Sequence, residues 1–283
     1  MKKNALKLFL ISICVFGTLS LLASCGGVEN SDEEKAPEST ENAVATTTAT
    51  TTTTAAVTTT ATPSQETFVP DDTYKYVAFT FDDGPHNEWT KKIVDKLAEY
   101  DGRATFFVVG DRINEKSAET IKYAVERGNE IGMHSFTHTH TFDTCDDAIY
   151  NREVNYTKNR LSAYAGVNAT LLRPPGGLMS SERIQNSEYP VIMWSVDSED
   201  WKYKKTGNDE QSAENIGAIV DNVLSTVGEG DIILMHDIYE NTYRAFSVII
   251  ETLYNEGYRF ITVSELLGDG IKSGAKFHSV TLN

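Results

Sequence analysis

The sequence is poor in cysteine. Three occur in 283 residues, and Cys14 and Cys25 fall within the first 25, which leaves Cys145 alone beyond them. No intrachain disulfide can form in residues 26–283, so stability there must come from a packed core. Cys145 is expected as a surface or half-buried thiol without a role. Positive charge is also scarce, with a formal net charge of −16. The leader contributes +3 from Lys2, Lys3 and Lys7 and residues 26–70 contribute −6, so residues 71–283 carry −13. That acidity argues against nucleic acid or anionic lipid as a partner, but it does not exclude an uncharged polymer. It identifies no protein partner.

Large apolar residues are missing from Thr46 to Thr62, where 12 of 17 residues are threonine. Residues 26–70 therefore read as a disordered tether, averaging roughly 40 Å end to end and reaching about 150 Å when stretched. Residues 1–25 differ again. Three lysines, an uncharged apolar run and the ending "LLASC" have the layout of an export signal. The ending resembles the bacterial lipobox, which implies acylation of Cys25 and attachment to the outer face of the cytoplasmic membrane; the ordinary reading is an uncleaved transmembrane anchor, and either one holds the exported chain at a membrane.

Residues 71–283 form the expected catalytic domain. Short β-rich runs ("YVAFTFDD", "ATFFVVG", "EIGMHS", "TLLRPP", "VIMWSVD", "DIILMHD", "RFITVSEL") alternate with segments of helical spacing such as "WTKKIVDKLAEY", "ETIKYAVERG" and "ENIGAIVDNVLSTV". Gly102, Gly128 and Gly257 follow three helical stretches as C-terminal stops. This alternation implies an α/β fold, a distorted (β/α) barrel of about seven parallel strands with outer helices. The final stretch, "GDGIKSGAKFHSVTLN", carries no readable signal.

In such folds a site forms at the C-terminal ends of the strands. Those ends carry Asp82 and Asp83, His134 with His138, Arg173, Asp197 and Asp200, and His236. Each has an ordinary reading as well. "DDGP" is a turn sequence, the two histidines share only a four-residue spacing that would place them on one helical face, and Arg173 could form a surface ion pair. Their coincidence at strand ends favours a shared site.

"TFDDGP", "HSFTH", "RPPGG", "DSEDW" and "LMH", in this order from Thr80 to His236, resemble the five motifs of the polysaccharide deacetylases, carbohydrate esterase family 4. The donor types suit a two-histidine, one-carboxylate site, with Asp83, His134 and His138 as ligands of a divalent ion, zinc above all. Such an ion lowers the pKa of water from 15.7 to about 7–9. Asp82 is expected as the general base, because adjacent residues on an extended strand point to opposite sides and only one of the pair reaches the ion. His236 is the candidate acid. The resemblance further places Arg173 beside the base, Asp200 facing His236, Trp201 and Leu234 around the acetyl methyl group, and the backbone N–H of Gly176 toward the oxyanion. Where the family commonly has an aromatic residue this chain has Gly176, which keeps the N–H but loses a wall of the groove. Asp197 reads as structural, and His86 and His140 as bystanders.

The implied activity is metal-dependent removal of N-acetyl groups from a cell-wall or chitin-like glycan, with peptidoglycan N-acetylglucosamine favoured by membrane tethering. The same machinery would serve an O-acetyl xylan esterase. A glycosidase would need two carboxylates about 5–10 Å apart and no histidine pair. A silent carbohydrate-binding protein would have lost a ligand, the base or the acid.

Overall fold

A computed structural model describes residues 68–204 and 209–280. The signal, Cys25 and nearly all of the tether lie outside the described residues. Within them, no helix is long and apolar enough to cross a membrane.

The fold is built around one strand, β1 (Lys75–Asp82), buried along its length except at Lys75. Its side chains alternate between two apolar clusters, as a pleated strand covered on both faces requires. Val77, Phe79 and Phe81 face one cluster; Tyr76 and Ala78 face the other. The same parity puts Thr80 and Asp82 on the Tyr76–Ala78 face, so the alternation that builds the core also aims the terminal carboxylate.

Parallel neighbours flank β1. On one side β2 (Thr105–Val108) pairs with Thr80–Asp82, and β3 (Glu130–Met133) pairs with β2. On the other side β6 (Ile232–His236) pairs with Ala78–Asp82, and β5 (Val196–Asp197) pairs with β6. The strand β7 (Tyr258–Phe260) takes the first three residues of β1. A separate parallel pair joins β4 (Val191–Ile192) to β8 (Lys276–Phe277). Leu172 bridges both Met133 and Val191, linking the two ladders without closing a ring among the described residues.

The outer layer consists of α1 (Trp89–Ala98), α2 (Glu115–Val125), α3 (Asp147–Arg160), α4 (Ser181–Gln185), α5 (Asp209–Leu224), α6 (Glu240–Asn255) and α7 (Val263–Leu267). Phe246 of α6 meets Phe79 and Phe81 edge-on at 5.0 and 5.3 Å, and Phe106 stacks on Phe81 at 5.2 Å. Each ring removed from water contributes about 1.5–3 kcal/mol.

The mostly parallel α/β fold expected from the alternation is the one found, with local differences. "TLLRPP" supplies a single bridge residue rather than a strand, "VIMWSVD" splits into β4 and β5, and "RFITVSEL" turns from β7 into α7. These apolar runs are largely buried, but hydrogen-bond geometry and not burial decides where a ladder persists. The unreadable tail provides β8. At the end of α1, Asp101 (φ 52°) takes the left-handed position expected for Gly102, while Gly128 and Gly257 take theirs.

Candidate functional site

Asp82, Asp83, His134, Arg173 and His236 meet at the C-terminal edge of the sheet because β1 is flanked there by both neighbours. Register pairs Asp82 directly with His236 on β6, and adjacent strands stand about 4.8 Å apart. His134 follows β3, where its main-chain N–H donates to Val108 O at 2.9 Å.

Asp83 leaves the extended conformation (φ 73°). This corrects the expectation that the two carboxylates point to opposite sides. Both approach the same imidazole nitrogen: Asp82 Oδ2 lies 3.6 Å and Asp83 Oδ1 3.7 Å from His134 Nε2. The left-handed turn swings Asp83 back toward the face that strand parity gives to Asp82.

His138 Nε2 stands 3.2 Å from Asp83 Oδ1. It reaches that position from a loop and not from a helix face, with Ser135 (φ 60°) and His138 (φ 54°) both left-handed. Glu153, buried on α3, holds the loop by accepting the N–H groups of Phe136 and Thr137 at 2.9 and 2.7 Å. Ser135 Oγ accepts the His138 N–H at 3.0 Å.

One atom each of Asp83, His134 and His138 lies within 4.8 Å of the other two. Asp83 Oδ1 is buried without a hydrogen-bond partner among the described residues, a costly state for a carboxylate unless a cation completes it. His134 Nδ1–H donates to Arg173 O at 2.8 Å, which fixes the tautomer and leaves Nε2 free to ligate. Burial holds the His134 pKa down against the pull of Asp82 and Asp83, keeping the ring neutral as a ligand must be. This donor set fits a divalent cation of the zinc type.

Arg173 is fully buried, so the surface ion-pair reading is excluded. Its guanidinium donates to Asp82 Oδ1 at 2.8 Å, Thr80 Oγ1 at 2.7 Å, Ile192 O at 3.0 Å and Met193 O at 2.8 Å, with its plane over Phe107. The fork therefore occupies one oxygen of Asp82 and leaves the other facing His134 and the ligand triad.

His236 is oriented by Asp200. Nδ1–H donates to Asp200 Oδ1 at 2.6 Å, and the His236 main-chain N–H and the Thr242 hydroxyl donate to Oδ2 at 2.7 and 2.6 Å. Burial alone would lower the imidazole pKa, but the charge and hydrogen bond of Asp200 outweigh it and push the pKa up to about 9. Nε2 remains for proton exchange, and the ring is an imidazolium at neutral pH.

The other expected residues are less tightly bound into this cluster. Leu234 is buried but stands outside the clusters that take Ile232, Ile233 and Met235. Trp201 is 46% exposed on a short 3-10 turn, so ordinary core packing does not explain it. Gly176 sits in a left-handed turn (φ 60°) in which an added Cβ would meet nothing within 4 Å. Asp197 accepts the Glu199 N–H at 2.8 Å, a turn-forming bond that agrees with a structural reading. The exposed His140 ring stands 6.1 Å from His138, and His86 Nδ1 accepts the Trp89 N–H at 3.2 Å.

Sequence reasoning missed Glu153 and Asp237. Asp237 is fully buried beside Gly84 and accepts from Thr90 Oγ1, and burial pushes its pKa up to about 7. An Asp directly after a strand-end histidine was the available signal.

Comparison with known proteins agrees with this geometry. A family model described as polysaccharide deacetylase matches residues 70–189. The peptidoglycan-N-acetylmuramic acid deacetylase PdaC of Bacillus subtilis is 38% identical over 205 residues, 72% of this chain and 41% of that protein. The chain thus spans about two-fifths of that relative's length. A peptidoglycan-N-acetylglucosamine deacetylase of Bacillus cereus is 31% identical over 201 residues, 68% of this chain and 88% of that one. The solved structure of a family 4 acetyl xylan esterase from Clostridium thermocellum, in complex with a cobalt ion, superposes with a TM-score of 0.65 at 31% identity, covering 74% of this chain and all of that one. With the family model matched over residues 70–189 and a relative 31% identical that is covered to 88% of its length, this chain belongs to the polysaccharide deacetylase family.

Proposed function

We propose that the chain is a metal-dependent hydrolase that removes N-acetyl groups from a cell-wall glycan, with peptidoglycan N-acetylglucosamine as its substrate. The observation that carries this reading is the division of labour at Asp82: Arg173 holds Oδ1, and Oδ2 faces His134 and the ligand triad, a buried oxygen placed to take a proton from a water there.

Asp83, His134 and His138 hold the ion, zinc in this reading, which when bound acidifies a water and polarises the acetyl carbonyl. Asp82 accepts the proton of the attacking water, a step that contributes about 10²–10⁴ in rate. The Gly176 N–H faces the carbonyl oxygen as it gains charge. His236, kept protonated by Asp200, donates from Nε2 to the departing nitrogen. Leu234 and Trp201 receive the methyl group.

The relatives include deacetylases of both peptidoglycan sugars, and the superposed esterase favours a second reading, cleavage of O-acetyl xylan. In both readings residues 1–25 act as a lipoprotein signal with Cys25 acylated, and residues 26–70 tether the catalytic domain 71–283 to the outer membrane face. Acetate release from peptidoglycan, chitooligosaccharides and acetylated xylan, each measured with zinc, with a chelator and with Asp82→Ala, tests the proposal. Metal-dependent release from N-acetyl substrates that is lost in the variant supports it; release from xylan alone assigns an esterase, and no release from any of them overturns both.

A further inference from the structure

An open cleft of about 590 Å³ is lined by residues that follow Asp83 and His236 in the chain. Its walls come from the loop that follows Asp83, from the turn after β2 that carries Arg112, and from Ile238, two residues beyond His236. Arg112 Nη1 donates to the backbone carbonyl of Asp83, so the guanidinium reaches the catalytic edge itself.

The cleft's polar groups are mostly committed. Glu88 Oε1 is paired with Lys92 Nζ at 2.7 Å. Asn114 accepts the N–H groups of Lys116 and Ser117, and the Ser117 hydroxyl donates to Arg112 O, together capping α2. Arg112 differs. It is exposed, and among the described residues no carboxylate oxygen lies within 4.0 Å of its guanidinium. Residues 71–283 carry −13, yet among the described residues this arginine has no carboxylate partner. A guanidinium fork of five donors matches a carboxylate in shape and charge, and only one donor is engaged by Asp83.

We propose that Arg112 binds a carboxylate carried by the muramyl substituent next to the reacting acetamido sugar, and so selects peptidoglycan over uncharged chitin and xylan. Two carboxylates supply this chemistry: the lactyl group where the stem peptide has been removed, and the free carboxylates of the stem peptide where it remains. The inference rests on the deacetylase reading.

The test compares acetate release from peptide-free and peptide-bearing glycan strands, each also with its carboxylates converted to neutral amides, and from chitotetraose, using the wild-type protein, Arg112→Gln and Arg112→Lys. A charge-assisted bond of ordinary strength predicts a kcat/KM about 10- to 100-fold higher for carboxylate-bearing strands than for amidated ones, carried mainly by KM. Arg112→Gln should abolish that ratio, and Arg112→Lys should restore part of it. A preference seen only with peptide-bearing strands assigns the carboxylate to the stem peptide. Equal wild-type rates on carboxylate-bearing and amidated strands, both with and without the stem peptide, or a loss in Arg112→Gln that is the same for chitotetraose, would overturn the inference while leaving the deacetylase in place. No acetate from any substrate would instead remove the reading beneath it.

Discussion

Arg173 Nη1 donates to Asp82 Oδ1 at 2.8 Å with both side chains shut away from solvent, at 0% and 4% exposure. The pair is a buried ion pair whose charges are completed by further bonds, the arginine by Thr80, Ile192 and Met193. Removing either partner therefore has a different consequence from removing both.

Arg173→Leu should destabilise the fold by about 3–5 kcal/mol, because it leaves the Asp82 carboxylate buried and uncompensated. For a domain of this size that is about 2–4 °C of Tm per kcal/mol, readable by calorimetry. Asp82→Asn keeps an acceptor for the fork, so it should cost less stability while acetate release falls about 10²–10⁴-fold. A stable Arg173→Leu variant would show that the pair does not hold the base.

The His236–Asp200 pair predicts the alkaline limb of the pH–rate profile. With the imidazole pKa raised to about 9, His236, the proposed general acid, is protonated through neutral pH, and activity should fall as pH rises through about 9. Asp200→Asn removes the charge that raises the pKa and should move the fall to lower pH. Stability follows the same sign: the raised folded pKa stabilises the fold fully below about 6.5, and that contribution is lost as pH rises through about 9. A limb that does not move in Asp200→Asn would assign it to another group.

The catalytic edge was legible in the sequence because strand parity and strand ends are local properties. Asp82 and His236 each close an apolar run, and the register of β1 against β6 does the rest. The convergence of Asp82 and Asp83 was not legible, since it depends on one left-handed residue that no periodicity marks. Nor was the loop that carries His138, which Glu153 holds from a helix 15 residues further along the chain, although His138 itself was named from the sequence. The break of "VIMWSVD" into β4 and β5 and the two-residue strand β8 escaped because apolar runs report burial and not ladders.

The two histidines proposed as ligands should separate under mutation. His134 is 2% exposed and bonded through Nδ1 to Arg173 O, so His134→Ala opens a buried void beside that orphaned carbonyl and should lower Tm as well as metal content. His138 is 30% exposed, and His138→Ala should lose metal with little change in the metal-free Tm. Metal analysis beside calorimetry with and without chelator checks this; equal metal content in wild type and His138→Ala would remove His138 from the ligand set.

Gly84 offers a test of how the ligand loop is seated. A Cβ at this position would lie 2.4 Å from Asp237 Oδ2 and 2.5 Å from Oδ1, nearer than any non-bonded contact allows. The carboxylate cannot retreat easily, since it is fully buried and takes the Thr90 hydroxyl, while Thr90 also accepts the His86 N–H at 2.8 Å from the same loop. Gly84→Ala must therefore push the loop that begins at Asp83 away from β6, at an overpacking cost of about 1–3 kcal/mol. Metal affinity should fall along with stability, because the displaced backbone carries a ligand. Trimming the opposing side chain in Gly84→Ala/Asp237→Ser should recover part of both losses; a double variant whose losses are the simple sum of the two single variants would show that the contact does not seat the loop.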